Sequence, residues 1–146
     1  MDYAELFRRL ERLLDQSRVG VLTTIDEQGF PRSRWMTPVV LRGRPGYLYA
    51  LTAPDSPKAA QIREHPRIGW FFQSKTLDEI CSATGDARII EDAQAKAEVQ
   101  EAIGPNLQIF WRVNPDSRNF AVIETEILEV SSFFPMRGER HRAARG

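Results

Sequence analysis

The side chains whose types and spacing best suit chemistry are Thr52, Ser56 and Lys58, arranged as Thr52-x-x-x-Ser56-x-Lys58. A serine followed by proline marks a helix start. The serine oxygen caps a free backbone N–H, and Pro57 takes the first helical position, where its missing donor costs nothing. A hydroxyl at the end of the preceding strand, a second at the cap, the free N–H groups of the helix and one lysine together make an anion cradle suited to phosphate. A cation in the first turn opposes the helix dipole. The chain has only three lysines (Lys58, Lys75 and Lys96) against 17 arginines, so Lys58 needs a reason to be there. An anionic ligand supplies one; the alternative is a solvated, capped turn.

Upstream lies Arg32-Ser33-Arg34-Trp35-Met36. In a strand, alternation puts Arg32, Arg34 and Met36 on one face and Ser33 and Trp35 on the other. Two guanidiniums on one face can grip a phosphate as bidentate donors, or simply lie on a solvated side of the sheet.

Other chemistries have less behind them. His65 and His141 are far apart, one beside Pro66 and the other near the C-terminus, and no Gly-x-Ser-x-Gly occurs, which argues against a histidine-based triad. The pairs Asp78-Glu79 and Glu91-Asp92 fall at strand boundaries, where turn and cap roles explain them. Cys81 is the single cysteine, so neither an internal disulfide nor a cysteine-based zinc site is expected, and no metal site is assigned.

The elements that must position these residues follow from periodicity. Tyr3, Leu6, Phe7, Leu10, Leu13 and Leu14 have helical spacing behind Asp2, an N-cap with Glu5 three residues on. Val19–Ile25 reads as a strand, with Asp26-Glu27-Gln28-Gly29 as turn chemistry before a second strand over Arg32–Leu41, bulged or at an edge at Pro38. Tyr47–Thr52, Arg67–Gln73, Ile80–Ile90 and Phe120–Val130 are the other strands. Helices are predicted from Pro57 to about Glu64 and from Asp92 to about Ile103. Neighbouring antiparallel strands with inserted helices, and no Gly-rich dinucleotide fingerprint, point to an α+β domain built on a small barrel rather than a doubly wound sheet.

Composition bounds the function. The chain has 146 residues, 42% hydrophobic and 27% charged, the profile of one globular domain. Twenty cations against 20 anions give no global field to attract a nucleic acid or a membrane, and no apolar run approaches the ~18 residues of a span. A cytoplasmic protein is expected. The last ten residues carry four arginines and one glutamate, leaving 16 cations against 19 anions in residues 1–136. The expectation is a folded domain over 1–136 and a basic, disordered tail over 137–146.

Taken in order, Gly20-Val21-Leu22-Thr23-Thr24, Gly29-x-Pro31-x-Ser33-Arg34-x-Met36, Tyr49-x-Leu51-Thr52, Ser56-x-Lys58, His65-Pro66 leading into Ile68, and Gly85 form one pattern. It resembles the pyridoxamine 5′-phosphate oxidase-like superfamily of FMN-binding split barrels, and its general-stress-protein branch. The likeness runs from about residue 18 to 90 and more loosely through Asn114-Pro115-Asp116 to Val130. It implies a six-stranded antiparallel split β-barrel with an N-terminal helix and short inserted helices, working as a homodimer with FMN at the subunit interface. Arg34, Trp35, Met36 and Thr37 would line the flavin ring and ribityl chain, and Thr52, Ser56 and Lys58 would hold the phosphate. Trp111 would cover the flavin edge from across the interface, or pack as a core or dimer-interface aromatic.

The departures narrow the activity. Arg140-His141-Arg142 lacks the surrounding strand and tryptophan that grip substrate in the oxidase, and Ile80 stands where the oxidase has a barrel glutamine. Oxidation of vitamin B6 is therefore not implied. The function that follows is a flavin-dependent oxidoreductase acting on an unidentified small molecule, with no catalytic side chain assigned. The alternatives are a flavin-binding or stress-related module without turnover, or a binder of the deazaflavin F420. Haem, which related barrels also bind, is less well served, since neither histidine has the context of an axial ligand.

Overall fold

A computed structural model describes residues 1–104 and 119–146. Asp2 caps the first helix, α1 (Tyr3–Ser17), by accepting the Glu5 N–H at 2.9 Å. The strands and helices that follow are β1 (Gly20–Ile25), β2 (Pro31–Met36), β3 (Tyr47–Thr52), α2 (Pro57–Glu64), β4 (Arg67–Gln73), β5 (Ile80–Ile90), α3 (Ala93–Ile103), β6 (Ala121–Phe134) and β7 (Glu139–Ala144). No helix among the described residues is long and apolar enough to cross a membrane.

All pairings among the described residues are antiparallel, in the order β2-β1-β4-β5-β6-β3, with β7 also on β6. The long β6 organises one side. Its first half pairs with β3 and its second half with β7, while β5 runs along the opposite edge. At the bulge between Thr84 and Gly85 the β6 backbone comes so close that a Cβ on Gly85 would collide with the Glu126 carbonyl, which requires glycine there.

The sheet is not closed by a ladder between its two end strands. The run expected as one strand over Arg32–Leu41 divides at Pro38, which is buried and has no N–H to donate. Before it, Met36 ends the ladder with β1 at Gly20; after it, Val39 exchanges two hydrogen bonds with Tyr49 of β3, at 2.8 and 2.9 Å. Among the described residues one bridge therefore spans the split.

The C-terminus corrects the reading of residues 137–146 as a disordered tail and of the sheet as six-stranded. Glu139–Ala144 is a seventh strand, in register with β6 from Glu129↔Ala144 to Phe134↔Glu139. Charge density misled because arginine buries its stem while keeping its head wet. Arg137 and Arg140 lie over the Phe134 and Phe133 rings at 4.4 and 4.6 Å, and Arg142 and Arg145 reach Glu129 and Glu126. Residue 136 is a turn between strands, not a domain boundary.

Two apolar clusters hold the elements. Leu6, Phe7, Leu10, Leu13 and Leu14 of α1 pack on Leu22, Leu48, Trp70, Phe72, Ile123, Ile127 and Val130 from the inner face of the sheet. Each such side chain taken from water contributes about 1.5–3 kcal/mol. On the other face of β3 and β6, Val99 and Ile103 of α3 cover Tyr49, Leu51 and Val122. The carboxylates at strand boundaries divide by role. Asp78 accepts from the Ser74 and Thr76 hydroxyls in a turn and Asp92 caps α3, whereas Glu79 is buried, not solvated, and paired in two hydrogen bonds with Arg9 of α1.

Candidate functional site

The β1–β2 register turns Arg34 inward beside Leu22, on the face that also carries the fully buried Thr24. From there one guanidinium nitrogen donates to the Thr24 hydroxyl at 2.8 Å and to the Leu22 carbonyl at 3.3 Å. On the other side of the split, β3 ends at the buried Thr52, and a turn closed by Ser56 N–H to Ala53 C=O starts α2. The Ser56 hydroxyl accepts the Ala59 N–H at 3.3 Å and lies 3.0 Å from the Thr52 hydroxyl. Lys58, one position past Pro57, completes the group.

Electrostatics set this cluster apart. Burial pushes the Lys58 ammonium below the ordinary lysine range, and the positive charge of Arg34 adds to the shift. Burial likewise lowers Arg34. Among the described residues no carboxylate comes within ion-pair distance of either, whereas Arg9, Arg32, Arg44 and Arg88 each reach one at 2.6–3.3 Å. Two half-buried cations, one of which feels the charge of the other, with no counter-charge among the described residues and beside a capped helix N-terminus with two hydroxyls, are suited to an anion.

The neighbouring residues are not one surface. Arg32 does not join Arg34: it is exposed and donates to Asp26 at 2.8 Å, and the other Asp26 oxygen accepts the Gln28 and Phe30 N–H groups of the hairpin turn. That arginine hydrogen bond, followed by the Phe30 N–H, holds the Asp26 carboxyl below the usual range. The cradle therefore has one arginine rather than two. Met36 is half-buried against the inner core, and Thr37 sits half-buried in the split. Trp35 points the opposite way and is 80% exposed, level with Val21 and, one strand further, Phe71. Beside it is a shallow hollow of about 300 Å³ lined by Val19, Val21, Trp35, Phe71, Phe72 and Lys75, among others. Trp111 lies outside the described residues.

Sequence reasoning missed two participants. The Thr24 hydroxyl donates to Gln61 Oε1 at 2.6 Å while accepting from Arg34. The available signals were a polar residue at an inward position after Leu22, and a glutamine three places after Lys58, on the same face of α2.

An antiparallel barrel left open between its end strands, with two half-buried cations and a capped helix N-terminus beside the opening, defines a class of small split-barrel proteins. The chain belongs to the pyridoxamine 5′-phosphate oxidase family, whose model matches residues 6–134. Solved structures of the same fold include a protein related to general stress protein 26 from Clostridium acetobutylicum, with TM-score 0.76 and 11% identity over 97% of this chain and 95% of that one. General stress protein 26 from Bacillus anthracis superposes with TM-score 0.72 and 22% identity, over 94% of this chain and 98% of that one. A heme binding protein from Mycobacterium smegmatis gives TM-score 0.72 and 16% identity, over 95% of this chain and 57% of that one. At these identities the likeness is one of fold. No curated protein matches the chain.

Proposed function

We propose that this chain is an FMN-binding protein that works as a homodimer and uses the flavin for oxidoreductase chemistry on a small molecule. The observation that carries the proposal is the pair Arg34 and Lys58, half-buried and, among the described residues, with no carboxylate in ion-pair distance of either. A phosphate monoester brings close to two negative charges near neutral pH, which matches two cations, and three acceptor oxygens for the donors around them. Lys58 and Arg34 neutralise it, the hydroxyls of Thr52 and Ser56 orient it, and the N-terminus of α2 faces it.

When bound, the flavin supplies the hydride and electron transfer; the chain binds, orients and excludes water. In this reading Arg34, Trp35, Met36 and Thr37 run along the ring and ribityl chain, and Trp111 closes the edge. The outer row of Val21, Trp35 and Phe71 is the face against which the second copy packs, which is what an exposed contiguous apolar row on a sheet is suited to.

Titration with FMN tests the proposal. Saturable quenching of flavin fluorescence at one FMN per chain is expected, with flavin absorbance bands near about 370 and 450 nm in the complex. Riboflavin, which lacks the phosphate, should bind roughly 100-fold more weakly. Absence of saturable binding would remove the reading, and tighter binding of deazaflavin F420 would reassign the cofactor. Reduction of the bound flavin by NADH or NADPH no faster than free flavin would limit the protein to binding.

A further inference from the structure

Arginines that proteins hold in fixed positions are commonly held by carboxylates, as Arg9 is by Glu79 and Arg88 by Glu124 in this chain. Such a partner would cancel the charge of Arg34 and fill the cradle with an internal anion. Here the guanidinium is instead held by neutral groups. Arg34 can only donate, and it donates to Thr24 Oγ1 and the Leu22 carbonyl. The Thr24 hydroxyl has a single proton, which goes to Gln61 Oε1. Gln61 is on α2, three residues after Lys58 and so on the same face of the helix. The relay ties β2 through β1 to the helix that carries the other cation, and Thr24 at its centre is fully buried.

We infer that Thr24 and Gln61 are positioning residues for the anion site: they orient Arg34 toward Lys58 without neutralising it, so the site is organised and fully charged before the ligand arrives. This rests on the anion-site reading above. Preorganised donors lose less freedom on binding, which is where such a relay gains affinity.

The test uses the full chain, with sulfate as a probe whose charge is constant between pH 4 and 8, alongside FMN; affinity is read by calorimetry and folding by melting temperature. Wild-type protein that binds neither ligand would defeat the anion-site reading itself. Given wild-type binding, Thr24→Val should weaken both ligands roughly tenfold, the loss of one charge-assisted hydrogen bond, and Thr24→Ser should restore them. Gln61→Glu places a carboxylate where the relay had an amide. It should weaken sulfate binding at pH 7 and recover it as pH falls through the carboxylate range, a pH dependence absent from wild type and from Gln61→Met. A folded Thr24→Val protein with unchanged affinity, or a Gln61→Glu protein whose sulfate affinity shows no such pH dependence, would overturn the inference. The second arm decides the matter alone if Thr24→Val does not fold.

Discussion

Replacing Lys58 with methionine should weaken FMN binding by about two orders of magnitude and, with no ligand present, raise the melting temperature. The first effect is the loss of a charge-assisted contact to phosphate, about 2–3 kcal/mol. The second follows from what Lys58 does to the empty site. It opposes the α2 dipole, stands half-buried and feels the charge of Arg34, with no carboxylate in ion-pair distance among the described residues. Relief of an interaction of this kind, about 1 kcal/mol or less, corresponds to a rise of about 2–4 °C in a domain of this size.

The pH dependence has a definite sign. The folded-state pKa of Lys58 lies below its ordinary value of 10.5, so between the two the unfolded chain holds more protons and wild-type stability rises with pH. Below the folded value the penalty is constant. The advantage of the ligand-free Lys58→Met protein should thus be full near neutrality and shrink as pH approaches 10.5. Tyr49, pushed up to about 12, and Cys81, pushed up to about 11, both mainly by burial, act oppositely, since their folded forms keep protons that the unfolded chain releases. They do so in both proteins and cancel in the difference. Melting curves of the two proteins from pH 7 to 10 measure it; a variant less stable than wild type at pH 7 would show that Lys58 is not strained.

Trp35→Glu should convert the proposed dimer to monomers. An indole with 80% of its surface in water contributes little to the fold of one chain, so the melting temperature of the monomer should barely move. In a dimer the same ring removes on the order of 150–250 Å² from water, about 4–6 kcal/mol as an upper estimate, and a carboxylate in its place would add a desolvation cost. The dissociation constant should rise by at least about 1,000-fold. Light scattering across a concentration series reads the mass, and FMN titration of the monomer should show weakened binding although Arg34 and Lys58 are intact. A Trp35→Glu protein that stays dimeric would place the interface elsewhere.

Most of the fold was legible because it is written in short-range terms. The apolar spacing of α1, the Ser56-Pro57 start of α2 and the β-branched runs each fix an element locally. β7 was not legible, because His141 and Ala143 are its only half-buried side chains and its arginines look like a solvated terminus until Phe133 and Phe134 are placed beneath them. Within the site, Thr52, Ser56 and Lys58 fall within seven consecutive residues in a pattern with a local mechanism, and the structure sets the Thr52 and Ser56 hydroxyls 3.0 Å apart with Lys58 in the first turn of α2. Alternation alone left Arg32 and Arg34 equivalent and only the resemblance singled out Arg34; the physical difference, that Asp26 folds back on Arg32, is a contact set by the hairpin turn. Thr24 and Gln61 are 37 positions apart, and only the packing of α2 against β1 makes them neighbours.

The split in the barrel has a consequence for how the molecule stores information about its ligand. Arg34 belongs to one end strand of the sheet, while Thr52 ends the other and leads into Ser56 and Lys58, with the Val39–Tyr49 bridge alone, among the described residues, between the two edges. An anion held by both sets of groups would act as a clasp across the seam, reinforcing edges that the backbone joins at one bridge. Occupancy would then be reported by cooperativity: amide exchange should slow at Arg34–Met36 and at Leu51–Thr52 together, more than in the β5–β6 ladder, turning two separately breathing edges into one unit.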